Sequence, residues 1–142
     1  MPEKPSAPDL ENLAKRPRAA SAKGPAGLEE IHRRALLAAR AAVDLKAEDV
    51  KILDMHDLVS YTDFLVVATG RNTRLTRRIM EDIGFKMKQE YGLLPAGTEG
   101  GSNGDWILMD YLDFVVHVFT PEAREFYRLD VLWKQAAAED VE

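Results

Sequence analysis

The residues that could carry chemistry are three histidines, several scattered carboxylates, a glycine-rich stretch and a run of arginines, in a chain of 142 residues with no cysteine. The missing cysteine removes disulfides, thiolate zinc sites and a cysteine nucleophile together, and fits a reducing compartment. His32, His56 and His117 lie far apart and share no helical metal-ligand spacing. Asp54, Asp57, Asp110 and Asp113 are the acids a metal-dependent transferase would use. Asp110 and Asp113 are three residues apart, so strand alternation turns them to opposite sides unless a turn intervenes. A nucleotidyltransferase would show a Gly-Ser helix start and then two acids, two residues apart, on the next strand; the chain has no such pair. No constellation amounts to a catalytic or metal site, and the expectation is a protein that is not an enzyme and needs no cofactor.

Two further features could hold anions. Residues 97–104, Gly-Thr-Glu-Gly-Gly-Ser-Asn-Gly, could cradle a phosphate. The stretch lacks the Lys-Ser/Thr of a phosphate loop and precedes a strand rather than a helix, and Glu99 would oppose an anion. A flexible loop is the better reading. Arg71, Arg74, Arg77 and Arg78 cluster where a helix opens, the end at which the helix dipole disfavours cations. They are either a solvated face supported by Glu81 and Asp82, which is favoured, or a contact to RNA.

The elements that position these residues follow from apolar spacing. Leu28, Ile31, Ala35, Ala38, Ala39 and Ala42 predict a helix over 28–43. Strands are expected at 50–54 and, as a nearly continuous apolar run, at 62–69. Asn72 or Thr73 caps a helix running to Tyr91, with Leu75, Ile79, Ile83 and Met87 as its core stripe and Gly92 as its stop. Residues 93–105 read as a loop. Strands at 106–111 and 114–120 form a hairpin. Thr120-Pro121-Glu122 starts a last helix. The expected fold is α/β, a mixed sheet with flanking helices.

The first 27 residues differ from the rest. They hold five of the seven prolines, and their five Lys/Arg against three Asp/Glu leave +2, so the overall −5 places −7 on the remainder. Their scarcity of large apolar side chains predicts a disordered tail over 1–27, with a weak helical turn near 9–16, ahead of a domain over 28–142. The start of the chain has no apolar stretch of a secretory signal, and no run approaches the ~20 apolar residues of a membrane helix. An acidic domain suits a basic protein partner better than naked nucleic acid.

The hairpin has two unlike faces. Ile107, Met109, Tyr111, Phe114, Val116 and Val118 form one that is wholly apolar or aromatic and belongs under the helices. Trp106, Leu108, Asp110, Val115, His117 and Phe119 form the other. Either Trp106 caps the core edge and His117 is a satisfied sheet histidine, or the face is partly open and Trp106 is an interface anchor.

Several segments in order carry a resemblance. They are Thr62-Asp63-Phe64, Ala68-Thr69-Gly70, Glu99-Gly100, Gly104-x-Trp106-Ile107-Leu108-Met109-Asp110-Tyr111, Asp113-Phe114-Val115-Val116-His117-Val118-Phe119 and Pro121-Glu122-x-Arg124-Glu125-Phe126-Tyr127. Together they resemble the ribosomal silencing factor, or Iojap-like, family over about residues 31–136. The resemblance implies a nucleotidyltransferase-like fold without its active site. It implies a cytoplasmic repressor of translation that is often a homodimer off the ribosome. Such a protein would bind the large ribosomal subunit through ribosomal protein uL14 and sterically block joining of the small subunit under nutrient limitation. Carried over by motif, Trp106, Glu99, Asp105, Asp110 and His117 would meet the ribosomal protein, with Arg71 and Arg74 as a ribosomal RNA contact. The alternative is a nucleotide-binding enzyme on the same fold. The chain departs from the family in having Leu112 where a turn glycine is usual, which bears on the turn's geometry, and Arg71-Asn72-Thr73-Arg74 where small hydroxyl residues are usual.

Overall fold

In the computed structural model, which describes residues 4–17 and 27–142, one six-stranded sheet organises the chain. The strands are β1 (Glu48–Asp54), β2 (Phe64–Thr69), β3 (Gly97–Glu99), β4 (Trp106–Asp110), β5 (Phe114–Phe119) and β6 (Ala137–Asp140), in the order β3-β4-β5-β2-β1-β6. β2 and β5 pair in parallel and every other neighbour is antiparallel. The expected mixed α/β sheet with flanking helices is what forms.

Helices α2 (Gly27–Asp44) and α3 (Thr73–Tyr91) cover one face. Alanines 35, 38, 39 and 42 let α2 lie close to the strands, and Ile79, Ile83 and Met87 bring α3 down on β4 and β5. Asn72 caps α3 through its side chain, which accepts from the Leu75 N–H at 2.9 Å, and Gly92 ends it in the left-handed conformation. All of the apolar hairpin face, Ile107 through Val118, lies in this layer.

The opposite face is covered as well. A second apolar cluster joins Leu53, Leu65, Val67, Trp106, Leu108, Val115 and Phe119 to residues from α4 (Pro121–Phe126) and α5 (Leu129–Leu132), and to Leu13 from α1 (Leu10–Lys15). Arg124 pins this cover down. It donates to Asp130 at 2.7 Å and to Thr69 Oγ1 at 2.8 Å, and lies over the Phe119 ring at 5.4 Å. The paired guanidinium holds the Asp130 carboxyl below its ordinary range.

Three elements exceed the sequence expectation, β3, α5 and β6, while α1 falls where a weak helical turn was expected. β3 and β6 are poor strand sequences, Gly-Thr-Glu and Ala-Ala-Glu-Asp, exposed throughout. Each is ordered by the backbone groups that β4 and β1 offer at the sheet's margins. Residues 4–17 pack against the domain through α1; the rest of the tail expectation, residues 1–3 and 18–26, lies outside the described residues. No helix among the described residues is long and apolar enough to cross a membrane.

The glycine-rich stretch is shaped by close approach. Gly100 has φ of 80°, and a Cβ there would stand 2.1 Å from the Trp106 carbonyl oxygen. Gly104, at φ 82°, lies against the start of α3, where Thr76 Oγ1 donates to its carbonyl at 2.6 Å. Gly100→Ala is therefore expected to cost on the order of 2 kcal/mol or more in chemical denaturation; a loss below half that would show that β4 does not depend on this approach.

His117 gives the covered face a pH signature. It is 1% exposed, and its Nδ1 accepts the Trp106 indole N–H at 2.9 Å. Burial pushes its pKa down from 6.5 to about 3, with Asp110 opposing the shift. The unfolded chain takes up a proton near pH 6.5 that the folded one refuses, so this contribution is complete above that pH and is lost as pH falls toward 3. Between pH 6.5 and 5 stability should drop by about 1.4 kcal/mol per pH unit, and His117→Gln should abolish that component. A flat wild-type profile from pH 7 to 5 would contradict a neutral, buried His117.

Candidate protein-docking face

The acids expected at the partner surface come from two adjoining strands and one loop. Glu99 ends β3 opposite Leu108, Asp105 immediately precedes β4, and Asp110 ends it opposite Val115. The backbone of Asp105 joins this margin to the end of β5, because the Thr120 N–H donates to its carbonyl at 3.0 Å. The Asn103 side chain accepts from the Asp105 N–H at 3.0 Å. Strand pairing thus fixes the spacing of Glu99 and Asp110, and the bond from Thr120 holds Asp105 beside β4.

Each carboxylate accepts a hydrogen bond from residues 4–17. The Ser6 N–H donates to Asp105 at 3.0 Å and the Asp9 N–H to Glu99 at 3.1 Å. The Arg16 guanidinium grips Asp110 with two nitrogens, Nε and Nη2, the latter at 2.8 Å. It also donates to the carbonyls of Tyr61 at 2.8 Å and Leu112 at 3.1 Å. This forked pairing is the strongest geometry a carboxylate can be offered by a side chain. Arg16 is the residue that sequence reasoning missed; its only signal was a basic residue at the end of a short amphipathic segment.

Leu112 takes a left-handed φ of 70°. Its N–H donates to Asp110 at 2.8 Å, and its carbonyl accepts from Thr62 Oγ1 at 3.0 Å as well as from Arg16. The turn therefore holds the conformation a glycine would reach cheaply, with hydrogen bonds offsetting the strain.

Trp106 and His117 lie beneath this margin. Trp106 is 3% exposed and in ring contact with His117, Phe119 and Tyr127, and the Tyr127 hydroxyl donates to the Pro5 carbonyl. His117 also packs on the Trp133 ring, centroids 5.0 Å apart. These are the contacts of a core edge with a satisfied histidine.

Arg71 and Arg74 are exposed at the start of α3. Arg71 lines a groove with Lys4, Ser6, Asn103, Asp105 and Glu122, so the cation borders the acidic margin. Arg77 bonds the carbonyls of Ser102 and Asn103 at 3.4 and 3.3 Å, and Asp82 pairs with Lys86 at 3.2 Å.

The acids weighed for catalysis are dispersed. Asp54 and Asp57 both contact His56, and the hydrogen bond that the half-buried imidazole makes to Asp54 raises its pKa. Asp110 is engaged by Arg16, and the Asp113 carbonyl accepts from the Asp63 N–H at 3.0 Å. Among the described residues no group of three His, Cys, Asp or Glu is placed to hold a metal ion.

Comparison with known proteins gives the family. Residues 28–142 match the family model described as ribosomal silencing factor during starvation. A Chromobacterium violaceum protein named ribosomal silencing factor RsfS is 36% identical over 104 residues, covering 73% of this chain and 84% of that one. The protein of the same name from Halalkalibacterium halodurans is 34% identical over 106 residues, covering 75% and 90%. The crystal structure of Chromobacterium violaceum protein CV0518 superposes with a TM-score of 0.70 at 35% identity, covering 73% of this chain and 86% of that one. The chain belongs to the ribosomal silencing factor family.

Proposed function

We propose that this protein binds the large ribosomal subunit through ribosomal protein uL14 and, by standing on the intersubunit face, blocks association with the small subunit and represses translation under nutrient limitation. The observation that carries this reading is the acidic margin of β3 and β4. Glu99 and Asp110 are held in register by strand pairing and Asp105 by its backbone bond to Thr120, and all three carboxylates accept from groups outside the sheet. Such a margin suits a basic protein, and its charge speeds encounter. Trp106 joins the contact when the cover over β4 yields, with His117 steering its indole through the N–H bond. Arg71 and Arg74 add a peripheral contact to ribosomal RNA.

The role is steric and assigns no catalytic step and no cofactor to the chain. The cytoplasm as its place of action and a homodimer as its state off the ribosome rest on the family resemblance.

Sucrose-gradient sedimentation with purified subunits tests the reading. Wild-type protein should travel with free large subunits and reduce joining to small ones. Glu99→Lys combined with Asp105→Lys should weaken binding about tenfold, mostly through the association rate and salt dependence. Replacing Arg71 and Arg74 by Ala should each lower the salt slope by about one. Binding that leaves subunit joining intact would reduce the protein to a passive adaptor and end the steric account.

A further inference from the structure

The segment ahead of the family domain sits on the same acidic margin. Ser6, Asp9 and Arg16 together engage Asp105, Glu99 and Asp110, so all three proposed partner-facing carboxylates have a donor from residues 4–17. The contact is more than electrostatic. Leu13 is 7% exposed within the apolar cluster that contains Trp106 and Leu108, and Arg16 lies over the Tyr61 ring at 5.9 Å. α1 is capped at both ends, by the Asp9 side chain accepting from the Asn12 N–H at 3.0 Å and by the Arg16 N–H bonding the Leu13 carbonyl. Composition agrees with this placement: the first 27 residues carry +2 against a domain of −7.

We infer that residues 4–17 are a built-in competitor, a segment of this chain that occupies the docking face and must leave before a basic protein partner can take the same carboxylates. Arg16 stands in for a partner's arginine, and Leu13 for its apolar anchor. The inference rests on the docking role proposed above for that face. An occupant joined to the same chain competes at high effective concentration, so even a modest intrinsic affinity suppresses an outside partner. The partner's apparent affinity is lowered by the fraction of molecules whose segment is released. The device sets a threshold: it favours release only where the partner is abundant and basic enough to replace the fork on Asp110. Arg16 belongs to no part of the proposed partner contact, so changing it acts on the cover and replaces none of the three partner-facing carboxylates.

The test uses full-length protein and purified large subunits. Amide hydrogen exchange over residues 10–16 reads whether the segment is docked, and co-sedimentation reads subunit affinity. Arg16→Glu places a like charge against Asp110 and should accelerate exchange in α1 while tightening subunit binding roughly tenfold. Arg16→Ala should move both readouts the same way by less. Adding subunits to wild-type protein should itself speed exchange over 10–16. Exchange that stays slow even in a Leu13→Glu/Arg16→Glu double variant would show that the segment is not held through these residues, overturning the inference. Freed segments with unchanged or weaker subunit binding would also overturn it, while leaving the docking role standing. Failure of wild type and variants alike to bind subunits would instead bring down the docking role and the inference with it.

Discussion

Strand β5 is buried on both faces, and this constraint decides what else the chain must supply. Its parallel pairing with β2 and antiparallel pairing with β4 place three apolar strands side by side. Sheet faces of this kind must be covered on both sides. α2 and α3 cover one with ordinary helical stripes. The other holds polar groups, His117 and Asp110, whose burial is costly without partners. Trp106 supplies one partner and Arg16 the other. α4 and α5 cover the β1–β2 side, while α1 lies along β3 and β4. The cover on that side is thus divided between the family domain and the segment that precedes it.

The two long helices, the four central strands and the hairpin's two faces were legible because their signals are local. Apolar spacing and caps fixed α2, α3 and the start of α4, and alternation placed Ile107 and Trp106 on opposite faces. What was not legible depends on partners distant in sequence. β6 is ordered by β1, some 85 residues earlier, and β3 by β4. Residues 4–17 read as too polar to fold alone, and nothing local in them names Asp110 as the carboxylate Arg16 meets 94 residues away. Of the candidate site, the acids were recognisable through motif, but that they share one margin, above a buried Trp106, is a consequence of the sheet.

The steric role proposed above needs no assembled acid cluster: it asks only for a stable surface of the right charge. The same surface satisfies its carboxylates internally when no partner is present. An exposed row of three acids repels itself, whereas one that closes on its own arginine remains paired and is exchangeable. On the reading proposed above, partner binding is a replacement of one set of charge-assisted hydrogen bonds by another.

The central claim is that the margin formed by Glu99, Asp105 and Asp110 is where the large subunit is met. The most direct measurement is a cryo-electron microscopy reconstruction of the wild-type protein bound to free large subunits. The account predicts density on the intersubunit face with these three carboxylates against basic side chains of a ribosomal protein. A complex in which β3 and β4 face solvent, or one bound away from the intersubunit face, would contradict it.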